Sequence, residues 1–175
     1  RNFTVQSGDL TDNSIRCLLP GAQGRLWIGT ENGGLMDLPL SGARPIPHEE
    51  LSALLGNDKV TALARSSRGG LYVGTVGGLI HLVPGGVPTV LNSNDGLAGN
   101  DVTALFTDSK GNTWVGTASS GVSIIAAQGP HKAERVDLGL IVSPTSFTED
   151  ATGNVWVGTL SQGVIVLKDR KVSVS

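Results

Sequence analysis

The chain has 175 residues, of which 39% are hydrophobic and 16% are charged, and its formal net charge is −2. A chain this apolar and this close to neutral is not expected to be disordered, and it lacks the positive excess that nucleic-acid binding needs. Glycine accounts for 25 residues, about twice the usual share of ~7%. No apolar run approaches the ~20 residues of a membrane-spanning helix. The chain begins at Arg1, and its first residues are not expected to be a signal peptide.

The first predicted element is an outer β-strand over residues 2–7, followed by a loop over 8–13.

A short pattern occurs four times along the chain. An apolar or β-branched residue is followed by an aromatic residue, an aliphatic residue, Gly and Thr. Its copies are Leu26–Thr30, Leu71–Thr75, Thr113–Thr117 and Val155–Thr159. The aligned glycines are 45, 42 and 42 residues apart, and every tryptophan and the single tyrosine fall on one position. Such a period indicates a repeat architecture.

Within the third repeat, strands are predicted over 102–106, 113–117 and 122–126, separated by turns over 108–112 and 118–121. A weaker fourth strand is predicted over 135–138, and residues 88–91 hold the same place in the second repeat. Four strands with tight turns in about 42 residues are typical of a β-propeller blade. The sequence therefore predicts an all-β fold with four four-stranded blades, approximately 8–50, 51–92, 93–138 and 139–175, with residues 1–7 completing an adjacent blade.

Equivalent positions in the four repeats have a packing explanation. A small residue stands ten positions before each aromatic, namely Cys17, Ala62, Ala104 and Ser146. We expect it to relieve crowding where the innermost strands meet at the hub. The glycine after the aromatic should let the neighbouring sheet approach closely. The aromatic rings themselves should lie between facing blades as core residues.

The third repeat reads Asp-x-x-Gly-Asn-x-Trp-Val-Gly-Thr from Asp108 to Thr117, and Asp-Gly-Leu-Ala-Gly-Asn from Asp95 to Asn100. This pattern resembles the two-component regulator propeller repeat, and the resemblance extends over the chain as four copies. Gly21 and Ser66 stand where the family favours Asp. The resemblance implies a periplasmic signal-input module of a bacterial histidine kinase, hybrid kinase or diguanylate cyclase, built of about seven blades. The chain itself shows no kinase or cyclase motif.

The prediction of four blades does not decide how the propeller ring is completed. The chain is expected to be a segment of a larger propeller or half of an eight-bladed ring formed by two copies, and a closed four-bladed ring is the alternative. The expected partners are thus the remaining blades of a parent protein or a second copy, together with a small-molecule or oligosaccharide ligand. Neither nucleic acid nor direct membrane contact is expected.

Candidate ligand-binding residues lie where each innermost strand begins, because loops at strand ends line the mouth of a propeller channel. They are Asn13, Arg16, Asp58, Asn100 and Asp101. Arg16 stands where the other three repeats have Thr61, Thr103 and Thr145. These residues could hold a saccharide or an anion, and the alternative is that the Asn and Asp side chains cap turns.

No pattern favours catalysis, a metal or a cofactor. His48, His81 and His131 are spaced too far apart for a zinc signature, and Cys17 is expected to be a buried small apolar residue. The segment 92–96 lacks the distal Glu of a calcium loop and is better explained as a turn. The sequence therefore predicts a non-enzymatic sensor segment, with a structural or protein-interaction propeller as the alternative and a propeller lyase as a more remote one.

Overall fold

The computed structural model describes residues 2–22, 24–39, 41, 44–55, 59–128 and 131–173. The described residues form four four-stranded antiparallel sheets that follow one another along the chain. In each sheet the strands are hydrogen-bonded in sequence order, as an up-and-down meander. Each repeat period thus makes one blade, and the predicted all-β architecture is confirmed.

The first two blades are formed by the first eight strands. Blade 1 contains β1 (Ile15–Pro20), β2 (Arg25–Thr30), β3 (Leu35–Pro39) and β4 (Ile46–Pro47). Blade 2 contains β5 (Val60–Arg65), β6 (Leu71–Thr75), β7 (Gly78–Leu82) and β8 (Thr89–Leu91).

The last two blades follow the same plan. Blade 3 contains β9 (Val102–Thr107), β10 (Thr113–Thr117), β11 (Gly121–Ile125) and β12 (Ala133–Val136). Blade 4 contains β13 (Pro144–Glu149), β14 (Val155–Thr159), β15 (Val164–Lys168) and β16 (Lys171–Val172).

A helix that the sequence reasoning missed, α1 (Glu49–Leu55), connects blades 1 and 2. Its first turn carries Glu49 and Glu50, and acidic side chains stabilise the amino end of a helix. Leu51 is buried against the core between blades 1 and 2. The longer connection explains why the first glycine spacing is 45 residues and the next two are 42.

The strand predicted over residues 2–7 is not formed in this structure. Residues 5–8 form a turn, in which the Gly8 N–H donates to the Val5 carbonyl at 2.9 Å. A strand needs a neighbour for its ladder of hydrogen bonds, and none of the four sheets offers one here. Phe3 and Leu10 instead pack on blade 1, against Ile28, Met36 and Leu38.

The innermost strands β1, β5, β9 and β13 pack successively against one another at the hub. A Cβ added to Gly74 would lie 2.6 Å from Val102 Cγ1 in the next blade, and one added to Gly116 would lie 2.7 Å from Pro144 Cβ. Both distances are shorter than real carbon contacts allow. The prediction that these glycines permit close approach of neighbouring sheets is confirmed.

The aromatic position fills the spaces between blades, as predicted, wherever a following blade exists. Tyr72 packs against blade 3 and Trp114 against blade 4, with exposed fractions of 1% and 3%. Trp156 in the last blade is 39% exposed, and Val164 on the same face is 63% exposed. We call this surface of blade 4, formed by Trp156, Val164 and Val166, the end face.

Candidate ligand-binding face

In blades 1, 3 and 4, one end of the blade brings together two loops. The loop before the innermost strand, here called the hub loop, contacts the turn between the second and third strands of its own blade. The N–H groups of Glu31, Ala118 and Leu160 donate to the carbonyls of Ser14, Asp101 and Ser143 at 2.9, 2.8 and 2.9 Å, respectively. Hub loops and these turns therefore form one surface, the hub-loop face, at the position where the sequence predicts ligand binding.

Arg16, Glu31 and Lys59 form a charged cluster on this face. Arg16 Nη1 lies 3.0 Å from Glu31 Oε2, and Lys59 Nζ lies 2.8 Å from Glu31 Oε1, so Glu31 connects blade 1 to the start of blade 2. The hydrogen bond from Lys59 and its charge, followed by the charge of Arg16, lower the pKa of Glu31 below its usual value. The Arg16 side chain remains 44% exposed. The cluster presents two cations and one anion to solvent at the rim of the hub.

Asn13 and Asn100 have matching structural roles. Asn13 Oδ1 accepts the N–H of Val5 at 2.9 Å, and Asn100 Oδ1 accepts the N–H of Ser93 at 2.8 Å. Each side chain therefore ties a hub loop to the segment before it. Both residues are exposed, and Asn13 also donates to Gln6 Oε1 at 3.3 Å.

The remaining two predicted residues are Asp101 and Asp58. Asp101 is exposed beside Asn100, and its carbonyl accepts the N–H of Ala118. Asp58 lies outside the described residues. The structure thus places Asn13, Arg16, Asn100 and Asp101 on hub loops or at the start of an innermost strand, with Asn13 and Arg16 in blade 1 and the other two in blade 3.

Asp12 is a residue of this face that the sequence reasoning missed. Its Oδ1 accepts the Ser14 N–H at 2.9 Å, and its Oδ2 accepts the Asn32 N–H at 2.8 Å. These backbone hydrogen bonds, first that of Ser14, lower the pKa of Asp12. Asp12 joins the hub loop of blade 1 to the turn that carries Glu31. An Asp two residues before a Ser is a known turn signal, but nothing in the sequence shows that its second oxygen reaches residue 32.

The repeated Asp of the family pattern has a structural role on the opposite face. Asp108 Oδ1 accepts the N–H groups of Lys110 and Asn112, and Asp108 Oδ2 accepts the Trp114 indole N–H at 2.9 Å. Asp150 holds Trp156 in the same way, also at 2.9 Å. Each carboxylate closes a turn and fixes a tryptophan ring, which packs between blades in the case of Trp114 and lies on the end face in the case of Trp156.

Blades 1 and 2 lack this carboxylate. Gly21 leaves the Trp27 ring half-buried, with its centroid 5.2 Å from that of His48. In blade 2 the Tyr72 hydroxyl bonds to His131 Nε2 at 2.9 Å and also to the side chain of Ser66. Sequence departures at Gly21 and Ser66 therefore change how the aromatic is held and leave the blade itself intact.

A cleft of about 240 Å³ opens on the opposite face, between blades 3 and 4. Trp114, Val155 and Leu167 line its apolar side. Lys110, Asp169 and Arg170 line its polar rim, where Lys110 Nζ and Asp169 Oδ1 are 4.0 Å apart. None of the predicted site residues lies in this cleft.

Among the residues considered for metal binding or nucleophilic chemistry, only His81 and His131 lie close together. His48 bonds to Glu50 through Nδ1 at 2.8 Å, whereas His81 and His131 lie together between blades 2 and 3. Across the described residues, no three His, Cys, Asp or Glu side chains are grouped so that they could hold a metal ion. Cys17 is half-buried near the hub, and burial raises the pKa of its thiol to about 11.

Four meandering sheets whose innermost strands pack around a hub define a segment of a β-propeller. Solved structures agree. The extracellular domain of the hybrid two-component system BT3049 from B. thetaiotaomicron is 23% identical with a TM-score of 0.76, over 95% of this chain and 23% of that chain. The extracellular domain of the system BT4673 from the same organism is 21% identical with a TM-score of 0.74, over 90% and 21%.

A streptogramin B lyase structure is 16% identical with a TM-score of 0.73, over 94% of this chain and 55% of that chain. At these identities the similarity shows the fold alone. The chain spans about a quarter of the length of the two-component domains that it resembles. None of the curated proteins matches the sequence.

Two segments of the sequence also match a known family. Residues 9–32 and 96–119 match the family described as two component regulator propeller. The second matched segment contains the residue pattern around Asp108 and Trp114, on which the predicted resemblance rests. In the described part of the chain, no helix is long and apolar enough to cross a membrane.

Proposed function

We propose that this chain is an extracytoplasmic, periplasmic ligand-binding segment of the sensor propeller of a bacterial two-component signalling protein, with no catalysis of its own. The observation that carries the proposal is the match of residues 9–32 and 96–119 to the two component regulator propeller family. The fold shared with the extracellular domains of two such systems supports it.

The ligand site that we propose lies on the hub-loop face around Arg16. Three features support this position: the exposed guanidinium, the cluster with Glu31 and Lys59, and the polar residues Asn13, Asn100 and Asp101 on neighbouring hub loops. A guanidinium paired with a carboxylate offers both donors and acceptors, which suits a polyhydroxylated or anionic small molecule. An oligosaccharide is the ligand class that fits these groups best.

Signal transfer needs a ligand that binds one arrangement of the sensor more tightly than another. The cluster around Glu31 spans the boundary between blades 1 and 2, since Arg16 belongs to β1 and Lys59 precedes β5. A ligand that bridges these side chains would favour one relative position of the two blades. We propose that this boundary couples binding to the rest of the protein.

Further blades are the partners that we propose for the exposed surfaces. Trp114 is buried only because blade 4 covers it, and Trp156 occupies the equivalent position without such a cover. The end face is therefore suited to pack against another blade of the same repeat, either from a longer chain or from a second copy.

Thermal unfolding with a panel of oligosaccharides tests the proposed function. The proposal expects at least one oligosaccharide to raise the melting temperature, and Arg16→Ala to abolish the increase. Lys132→Ala, a change at an exposed cation away from the hub-loop face, should leave it unchanged. An increase that Arg16→Ala does not affect would remove the proposed site. An increase in melting temperature that depends on a divalent metal would instead support a lyase.

A further inference from the structure

Three aromatic side chains form a stack across the boundary of blades 2 and 3, which we call the ring stack. Tyr72 and His81 belong to blade 2, and His131 belongs to the connection between β11 and β12 of blade 3. The ring centroids of Tyr72 and His81 are 4.4 Å apart, and those of His81 and His131 are 4.7 Å apart. The predicted function uses none of these residues.

Hydrogen bonds fix the rings. The Tyr72 hydroxyl and His131 Nε2 are 2.9 Å apart, which links the two blades directly. His81 Nε2 lies 3.1 Å from the Gly69 carbonyl, and since a carbonyl can only accept, His81 carries its proton on Nε2. His81 is 5% exposed and Tyr72 is 1% exposed, so water can solvate neither ring fully.

The charged group that acts on both imidazoles is the guanidinium of Arg68. Arg68, on the turn between β5 and β6, reaches across to the Ala126 carbonyl of blade 3 at 2.9 Å. Its charge disfavours protonation of His81 and of His131. Lys132, next to His131, is exposed and also positive. No described carboxylate acts on either imidazole to offset these charges.

Protonation of the ring stack would therefore place two further positive charges beside Arg68. Burial, as the largest cause, lowers the pKa of both histidines, and for His131 the nearby His81 is the second cause. A protonated His81 would gain some attraction to the face of Tyr72. The second imidazolium, with its centroid 4.7 Å away, and Arg68 would oppose that gain.

We propose that the ring stack of Tyr72, His81 and His131 is an acid-sensitive clasp between blades 2 and 3. The clasp is closed while both imidazoles are neutral. Acidification opens it by separating the β11–β12 connection from blade 2. This inference concerns a boundary away from Arg16 and does not depend on the proposed ligand.

Equilibrium unfolding of the full chain at pH 7.5 and pH 5.5 tests the clasp. Each histidine that stays neutral in the folded state and titrates near 6.5 when unfolded should raise the unfolding equilibrium constant up to about tenfold over this interval. The sign follows because the unfolded chain binds more protons. Replacing His131 by Gln keeps a group that can accept from the Tyr72 hydroxyl but cannot titrate. In H131Q, the rise in the unfolding equilibrium constant between pH 7.5 and pH 5.5 should therefore be smaller than in the wild type by a factor of up to about ten. The matched control is H48Q, at a histidine outside the ring stack. It should retain the contribution of His81 and His131 to the change in the unfolding equilibrium constant.

NMR titration of the wild-type histidine ring protons keeps the test independent of whether H131Q folds. We expect His81 and His131 to titrate below 6.5, and the backbone amides of β12 to shift with them. Titration of both rings at or above 6.5 would overturn the clasp, as would identical acid sensitivity in wild type, H131Q and H48Q.

Discussion

Thr103 Oγ1 donates a hydrogen bond to the Pro144 carbonyl at 2.5 Å, across the boundary between blades 3 and 4. Thr61 does the same to Val102 at 2.6 Å, one blade earlier. Thr145, in the last blade, has no following strand and bonds to Gly158 of its own blade at 3.2 Å. Where the first repeat has Arg16 in place of threonine, the side chain turns to Glu31 on the hub-loop face. One position of the repeat thus serves blade docking in the middle of the chain and forms a partly exposed ion pair in blade 1.

Substitution of Gly116 by Ala tests the close approach of blades at the hub. The added Cβ would lie 2.7 Å from Pro144 Cβ and 3.2 Å from Phe147 Cε2, so blade 4 would have to move. We expect a loss of about 1–3 kcal/mol in the free energy of unfolding, as for other overpacked cores. Gly86→Ala is the matched control, since its nearest neighbour is the exposed Val83 at 3.3 Å. Equal unfolding free energies for the two variants would contradict this packing.

The carboxylates that hold the tryptophans should differ in their contributions. Asp108→Ala leaves the buried Trp114 indole N–H without its acceptor and opens the turn, so we expect a cost of about 2–4 kcal/mol in denaturant unfolding. Asp150→Ala removes the same bonds around Trp156, which is 39% exposed and can bond to water. We therefore expect a smaller loss in the free energy of unfolding than for Asp108→Ala. A larger loss at Asp150 would contradict the exposure of the end face in the isolated chain.

The end face should be a site of association. Trp114→Ala should cost about 3–5 kcal/mol of stability because it opens a cavity between blades 3 and 4. Trp156→Ala should change the unfolding of the isolated chain much less and should weaken its association with another blade. Analytical ultracentrifugation over a range of concentrations measures this difference. Association that is unchanged by Trp156→Ala would show that the end face is not the contact surface.

The Cys17 thiol should be unreactive in the folded protein. Burial raises its pKa to about 11, from a reference value of 9.0. At pH 8 the thiolate fraction should therefore be about a hundredfold lower than in the unfolded chain. We expect a corresponding difference in the rate of reaction with a disulfide reagent, before and after addition of guanidinium chloride. Equal rates would mean that the thiol is accessible and that the hub around it is open.

The repeat made the blades predictable because its signals are local. Gly111 and Gly153 have φ values of 81° and 83°, which favour glycine in the tight turns before β10 and β14. The alternation of Trp114 with Val115 fixes which side faces which blade. These properties lie within one period and recur four times, so the sequence alone indicates strands, turns and core.

The features that the sequence did not predict depend on contacts between residues far apart in the chain. Helix α1 occurs once, where the period is broken, and Leu51 is held there by blade 2. Residues 2–7 have the composition of a strand but no neighbouring strand with which to pair. The bond from Asp12 to residue 32 and the ring stack between Tyr72 and His131 join residues 20 and 59 positions apart. No pattern within one repeat indicates such pairs.

The ligand site is tested most directly by mapping amide chemical shifts of the isotope-labelled chain as oligosaccharides are added. The account predicts saturable shifts at residues 13–16, 31, 59 and 100–101, and their loss in Arg16→Ala. Shifts confined to the cleft around Lys110 and Asp169, or no shifts with any oligosaccharide, would contradict it.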